Sequence, residues 1–320
     1  MNPYAASLQA LAPLFILILV GYGLKRARLL HAAHVPVMNN LVVSVTMPAL
    51  VVYGLATAKT LPLAAAKPVI AMLATEFAIM LAIAALARFV KVSRTAFGCM
   101  LMVGAFGNTG FLGYPMTLAL MKPAFPIAIL IDQFGLSVPL YLGAALIGSS
   151  YGQLAGAATR LELMTRFLRS PLFLAVVLGV GCRVIPWPIH LLNIPLIKDV
   201  GHTVGQCLVY LGQGTIPLVL LAFGVSLKPV GARSALPEIV IACVMKLVAS
   251  PIIIWGICRL LNAPVELRSV AVLLAAMPTS VMSSVLCAQN GLDGETAVSV
   301  VFITTVISFV SVPLMLTLLR

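Results

Sequence analysis

The sequence predicts an all-α polytopic membrane protein: ten transmembrane helices, built as two inverted five-helix repeats, with a broken helix in each repeat that crosses its counterpart. Three observations predict it. The chain is 62% hydrophobic and only 9% charged, with a mean hydropathy of +1.13, whereas a soluble domain carries roughly a quarter charged residues. Its apolar stretches are long enough to cross a bilayer, which takes about 20 residues each. Finally, residues 94–140 align without a gap to residues 268–314, and both copies end in Ser-Val-Pro-Leu.

The spans are expected at 7–24, 35–56, 67–89, 95–121, 124–149, 171–186, 197–227, 236–260, 268–290 and 294–319. The first has no basic residue before it and Lys25, Arg26 and Arg28 after it. A cleavable signal peptide has the reverse polarity, so this is a retained span with its N-terminus outside. Pro48 interrupts the second span, Glu76 lies deep in the third and Asp132 deep in the fifth. The fourth is broken near its middle by Gly107-Asn108-Thr109-Gly110 and again at Pro115. About 20 residues link the halves. The sixth span is short and ends at Pro186-Trp187-Pro188, where Trp187 fits an interfacial anchor. Pro217 interrupts the seventh, Lys246 lies in the eighth, and Pro278 breaks the ninth ahead of Thr279, Ser280, Ser283 and Ser284.

The repeat extends beyond the aligned segment. Pro13-Leu14-Phe15 matches Pro171-Leu172-Phe173, and Thr46-Met47-Pro48 matches Thr215-Ile216-Pro217. Spans one to five (residues 1–150) therefore correspond to spans six to ten (151–320). Five is odd, so the second copy enters from the opposite side and both termini lie outside. Eleven Lys and Arg fall in the inside loops and eight in the outside segments, the sign that the positive-inside rule requires. The net charge of +12 is thus read as membrane topology, with a preference for anionic lipid headgroups, and not as nucleic-acid binding. The six cysteines are scattered singly through apolar runs and read as small buried hydrophobes. His31 and His34 are three apart but lack an acidic or cysteine companion, so neither a metal site nor a cofactor is expected.

Irregular backbone at membrane depth must face protein or water. Two broken helices entering from opposite sides meet near the midplane. Their half-helix N-termini suit a carboxylate, and the opposing free carbonyls suit a cation. Asn108, Thr109 and Gly110 with Pro115, and Pro278 with Thr279 and Ser280, are the candidate substrate-binding residues. Asp132, followed by Gln133, is the candidate for coupling to H⁺ or Na⁺, because a charge at the bilayer centre costs ~2.5–3.5 kcal/mol on insertion scales and needs a partner or a role. Glu76 and Lys246 fall at nearly equivalent repeat positions, which fits either a buried ion pair or a transport role. Pro48 and Pro217 fit either a gate or a kink.

These residues resemble the auxin efflux carrier family of permeases, in its compact bacterial form. The motif Asn108-Thr109-Gly110-Phe111-Leu112-Gly113-Tyr114-Pro115 is similar to the family's N-T-x-x-x-G-x-P pattern. Met47-Pro48-Ala49-Leu50, Ala276-Met277-Pro278 and Ser311-Val312-Pro313 are similar too. The resemblance implies a fold like that of sodium/proton antiporters and bile-acid transporters. Spans 1, 2, 6 and 7 would form a scaffold, often a homodimer, and spans 3, 4, 5, 8, 9 and 10 a transport core. It also implies a substrate site at Asn108, Pro115 and Pro278. One departure is Met282, where many relatives have a polar residue opposite Asn108.

The function these features imply is a secondary active transporter, in the bacterial inner membrane, for a small organic anion such as a mono- or dicarboxylate. A channel or a transporter-like sensor is the alternative. An intramembrane enzyme is not expected: HExxH and GxSxG are absent, and only one Asp lies deep in a span.

Overall fold

A computed structural model describes residues 3–59, 61–153, 160–184, 195–227 and 236–319; Trp187, Lys228 and Arg233 lie outside the described residues. These are helical, with no extended strand among them. In chain order the helices are α1 (Pro3–Arg26), α2 (His34–Ala56), α3 (Leu63–Phe89), α4 (Arg94–Ala105), α5 (Tyr114–Leu120), α6 (Lys122–Tyr151), α7 (Arg160–Leu168), α8 (Pro171–Val184), α9 (Pro195–Gln213), α10 (Thr215–Ser226), α11 (Leu236–Leu260), α12 (Val265–Ala275), α13 (Val281–Gln289) and α14 (Gly294–Leu318). Among the described residues, seven helical segments are long and apolar enough to cross a membrane. The number is eight if Leu161–Leu168 and Pro171–Val184, bent by 53°, count as one span. Large apolar side chains such as Leu19, Ile70, Phe77, Leu81, Ile252 and Val310 are exposed, as lipid-facing residues should be. The protein is a polytopic integral membrane protein.

Among the described residues, four helical stretches widen into π turns: Val42–Thr46, Thr109–Gly113, Ile131–Ser137 and Met245–Ala249. Each ends two residues before a proline: Pro48, Pro115, Pro139 and Pro251. The cause is local. Proline has no N–H to donate, and its ring clashes with the carbonyl four residues back. Opening the turn by one residue relieves the clash without ending the helix. Prolines thereby place Thr109, Asp132, Gln133 and Lys246 on widened turns. Pro48 and Pro217 distort their helices without stopping them, since His34–Ala56 and Asp199–Ser226 each persist as one helical span.

The contacts divide the chain into two compact units. One comprises Leu14–Leu61 and Leu168–Leu227. In it, α8 and α9 both pack on α2. Arg183 donates from Nε to the Ala58 carbonyl and from Nη2 to the Lys59 carbonyl, at 3.0 Å each. Gly224 lets α10 cross α1 closely, because a Cβ there would sit 2.0 Å from the Ile18 carbonyl oxygen. A pocket of about 360 Å³ is lined by Tyr53, His202, Gly205, Gln206, Val209 and Tyr210.

The other unit comprises Met1–Pro13, Pro62–Phe167 and Lys228–Arg320. Here α3 packs on α4, α11, α12 and the π turn of α6. Met72, Ile79 and Ile83 of α3 share a core with Met100 and Val103 of α4, Ala128 of α6, and Val270 and Leu274 of α12. The described part of the link between the halves contains α7, whose Leu163 and Phe167 are buried, with the Phe167 ring 5.5 Å from that of Tyr141. The i, i+4 spacing of these two residues makes an apolar stripe, which the neighbouring Glu162 and Arg166 obscure in sequence. The cysteines also depart in part from expectation: Cys99, Cys243, Cys258 and Cys287 are buried, but Cys182 and Cys207 are exposed. His31 and His34 sit in an exposed connector, where the His31 N–H donates to His34 Nδ1 at 3.1 Å.

Candidate functional site at two broken helices

Two helices of the larger unit stop inside it. The first runs along α4 to Ala105, breaks at Phe106 to Asn108, and resumes through the π turn Thr109–Gly113 into α5. The second runs along α12 to Ala275, breaks, and resumes at α13 behind the N-cap Ser280. The two breaks pair with each other. Gly107 and Thr279 form an antiparallel bridge. The Asn108 N–H donates to the Pro278 carbonyl at 2.7 Å, and the Ser280 N–H donates to the Phe106 carbonyl at 3.0 Å. Each break thus satisfies backbone groups that apolar surroundings would leave orphaned.

Side chains complete the clamp. Thr279 Oγ1 donates to the Val103 carbonyl at 2.8 Å, and the Thr279 N–H donates to Thr304 Oγ1 of α14 at 3.2 Å. Ser280 Oγ accepts from the Met282 N–H at 3.2 Å, and Ser283 Oγ donates to the Ser280 carbonyl at 2.6 Å. Pro115 is buried in the first turn of α5, and Gly110 is half-buried in the π turn before it. Asn108 is 4% exposed, and its Nδ2 is buried without a hydrogen-bond partner. Its repeat counterpart Met282 is instead 38% exposed.

Asp132 joins the first break to α6. Its Oδ1 accepts from Thr109 Oγ1. Its Oδ2 accepts from Tyr114 Oη at 2.7 Å and from Gln133 Nε2 at 2.6 Å. Thr109 is therefore engaged within the protein and is not a free donor. Tyr114 was not among the residues singled out in the sequence, although its phenol lies inside the fourth-span motif. Its ring also packs edge-on against Phe125 at 5.3 Å.

Lys246 reaches the same place from α11. Its Nζ donates to the Ala275 carbonyl at 2.9 Å and to Ser250 Oγ at 3.4 Å. A Cβ on Gly107 would lie 3.0 Å from the Lys246 Cε and Nζ, so glycine leaves room for the ammonium at the crossing. A cation at the carbonyl end of α12 answers the negative pole of that half-helix. Of the two readings of Glu76 and Lys246, a buried ion pair or a transport role, the direct hydrogen-bonded pair is not seen. Both Glu76 oxygens are buried without a hydrogen-bond partner, because the lysine is drawn to the free helix-end carbonyl. Glu76 nonetheless lies within electrostatic reach of Lys246 and of Asp132. Three ionisable groups that are 56 to 170 positions apart in the chain thus form one buried cluster.

The sequence was compared with known proteins. The family described as "Membrane transport protein" matches residues 6–154 and 158–316. An "Uncharacterized transporter" of Methanocaldococcus jannaschii is 26% identical, covering 93% of this chain and 94% of its own length. An "Uncharacterized transporter" of Methanothermobacter thermautotrophicus is 27% identical over 97% and 98%. A "Putative malonate transporter" of Rhizobium meliloti is 26% identical over 96% and 94%. These names indicate transport and not catalysis. With a family match across nearly its whole length and the family's motif at the first of two paired helix breaks, the chain belongs to the membrane transport protein family, the auxin efflux carrier family of permeases.

Proposed function

We propose that the protein is a secondary active transporter that carries a small organic anion, malonate or a similar mono- or dicarboxylate, across the bacterial inner membrane by alternating access. One observation carries this: an unpaired, buried amide donor, Asn108 Nδ2, at the crossing of two broken helices. Buried polar groups are almost always hydrogen-bonded, and an unused N–H beside half-helix N-termini suits a carboxylate oxygen. Pro115, Pro278 and the Gly110 backbone shape the site around it, and Thr279 and Ser280 fix the second break. The name of the Rhizobium meliloti relative supplies malonate as the first anion to try.

The chain crosses the membrane ten times as two inverted repeats, with both termini outside. The antiparallel pairing of Gly107 with Thr279 supports this, since inverted copies must run in opposite senses where they meet. Spans 1, 2, 6 and 7 act as the scaffold and the others as the moving core. The separate packing of Leu14–Leu61 with Leu168–Leu227 supports that division. Pro48 and Pro217 serve the scaffold as kinks. Coupling to H⁺ or Na⁺ runs through the buried charge cluster that contains Asp132 and Gln133.

The scaffold forms a homodimer. One open helix face is on α9, where a Cβ on Gly201 or Gly205 would meet nothing within 4 Å, and glycines four apart let membrane helices approach closely. Light scattering of the purified protein in detergent is expected to give twice the 33.7 kDa chain mass; a monomer would contradict it.

Substrate class is tested by thermal unfolding of purified protein with mono- and dicarboxylates, with and without Na⁺. A ligand at about 100 times its Kd stabilises the native state by about 2.7 kcal/mol. Malonate or a close carboxylate is expected to raise Tm, and the diamide malonamide is not. If no carboxylate raises Tm, the organic-anion assignment fails.

A further inference from the structure

We propose that Glu76, and not Asp132, is the group that binds the coupled proton; this rests on the transporter reading above. Among the described residues, Glu76 is the carboxylate with both oxygens buried and unpaired. The other buried side-chain atoms without partners belong to neutral groups such as Thr46, Asn108, Thr215, Trp255 and Ser311, apart from one oxygen of Glu238. A buried ionised carboxylate without a protein donor is far more costly than a neutral acid. Asp132 is in the opposite position, since Thr109, Tyr114 and Gln133 all donate to it.

Charge counting agrees. Of the helices packed on α3, α6 brings Asp132 and Lys122, and α11 brings Lys246, Glu238 and Arg259. Helix α4 brings Arg94, and α12 brings Glu266 and Arg268. Of these, Lys246 and Asp132 lie within electrostatic reach of Glu76. One ammonium, Lys246, serves two buried carboxyl groups, and Asp132 is the one already held by three protein donors. Glu76 is then the surplus acid, neutral when it holds a proton and a net negative charge when it does not. The thiols of Cys99, Cys243 and Cys258 on the same elements are neutral as thiols.

The placement links proton and substrate. Glu76 feels Lys246, and Lys246 Nζ holds the Ala275 carbonyl at the end of the broken half-helix α12. When the Glu76 O–H bond breaks and its proton passes to water, the new carboxylate competes for the ammonium and weakens its hold on Ala275. When a proton returns, the O–H bond reforms and the ammonium settles back on the carbonyl. No electron changes hands.

The test has two arms. Infrared difference spectroscopy of purified protein at neutral pH is expected to show the C=O band of a protonated carboxylic acid. That band should shift when glutamate alone is ¹³C-labelled, and it should be missing in Glu76→Gln. The isotope arm needs no variant, so it separates glutamate from Asp132 even if Glu76→Gln fails to fold, and Glu238→Gln then excludes the other buried glutamate oxygen. Absence of a glutamate-sensitive band, or its persistence in folded Glu76→Gln, would overturn the proposal. In proteoliposomes, the wild type is expected to accumulate labelled malonate about tenfold per unit of imposed pH gradient for one coupled proton. Glu76→Gln should keep malonate exchange but lose that accumulation. Accumulation driven by a Na⁺ gradient instead would also overturn it. If the wild type carries no malonate, the substrate assignment fails while the infrared arm still decides the proton.

Discussion

Asn108→Ala is expected to weaken carboxylate binding by about 10- to 150-fold, the worth of about 1.5–3 kcal/mol for a hydrogen bond to a charged acceptor. The fold should survive. The Asn108 N–H to Pro278 bond is made by backbone and remains, and the lost Nδ2 had no partner within the protein. The melting temperature without ligand should therefore stay close to that of the wild type, and titration calorimetry with the best carboxylate should show the loss. Unchanged affinity in folded Asn108→Ala would remove the crossing from the substrate site.

Lys246→Met is expected to have the opposite profile, with a large cost in stability before any ligand is added. Removing one partner from a buried set of charges costs about 3–5 kcal/mol. Here the loss leaves the buried cluster without its ammonium and the Ala275 carbonyl without its donor. Thermal unfolding in detergent would show it as a marked fall in Tm. Adding Glu76→Gln should change that fall little, because Glu76 already holds its proton at neutral pH. Equal Tm values for Lys246→Met and wild type would mean that the ammonium does not organise the crossing.

Much of this was legible in the sequence. The two breaks were, because Gly-Asn-Thr-Gly and Met-Pro-Thr-Ser stand out inside apolar runs, where lipid tolerates no idle irregular backbone. The pairing partners within the breaks were not, since a bond such as Ser280 to Phe106 depends on how two distant segments pack. The four π turns were half legible. Each proline is plain in the sequence, but whether a helix kinks, stops or widens depends on what its neighbours can satisfy.

The charges show the limit most clearly. Glu76 and Lys246 are linked in the sequence by repeat depth alone. Depth does not reveal that a long lysine side chain will prefer a helix-end carbonyl in α12 to a glutamate in α3. Likewise, Asp132 was visible as an isolated charge, while its donors Thr109 and Tyr114 lie 23 and 18 residues earlier. α7 was missed for a simpler reason: Glu162 and Arg166 mark it as linker, and only the spacing of Leu163 and Phe167 betrays its buried face.

The central claim is that this chain is a carrier with a carboxylate site, and counterflow tests it most directly. Purified protein in proteoliposomes preloaded with unlabelled malonate should take up external labelled malonate transiently above equilibrium. The rate should saturate with concentration and be lost in Asn108→Ala. Flux that rises linearly with concentration, with no overshoot, would indicate a channel and contradict the account.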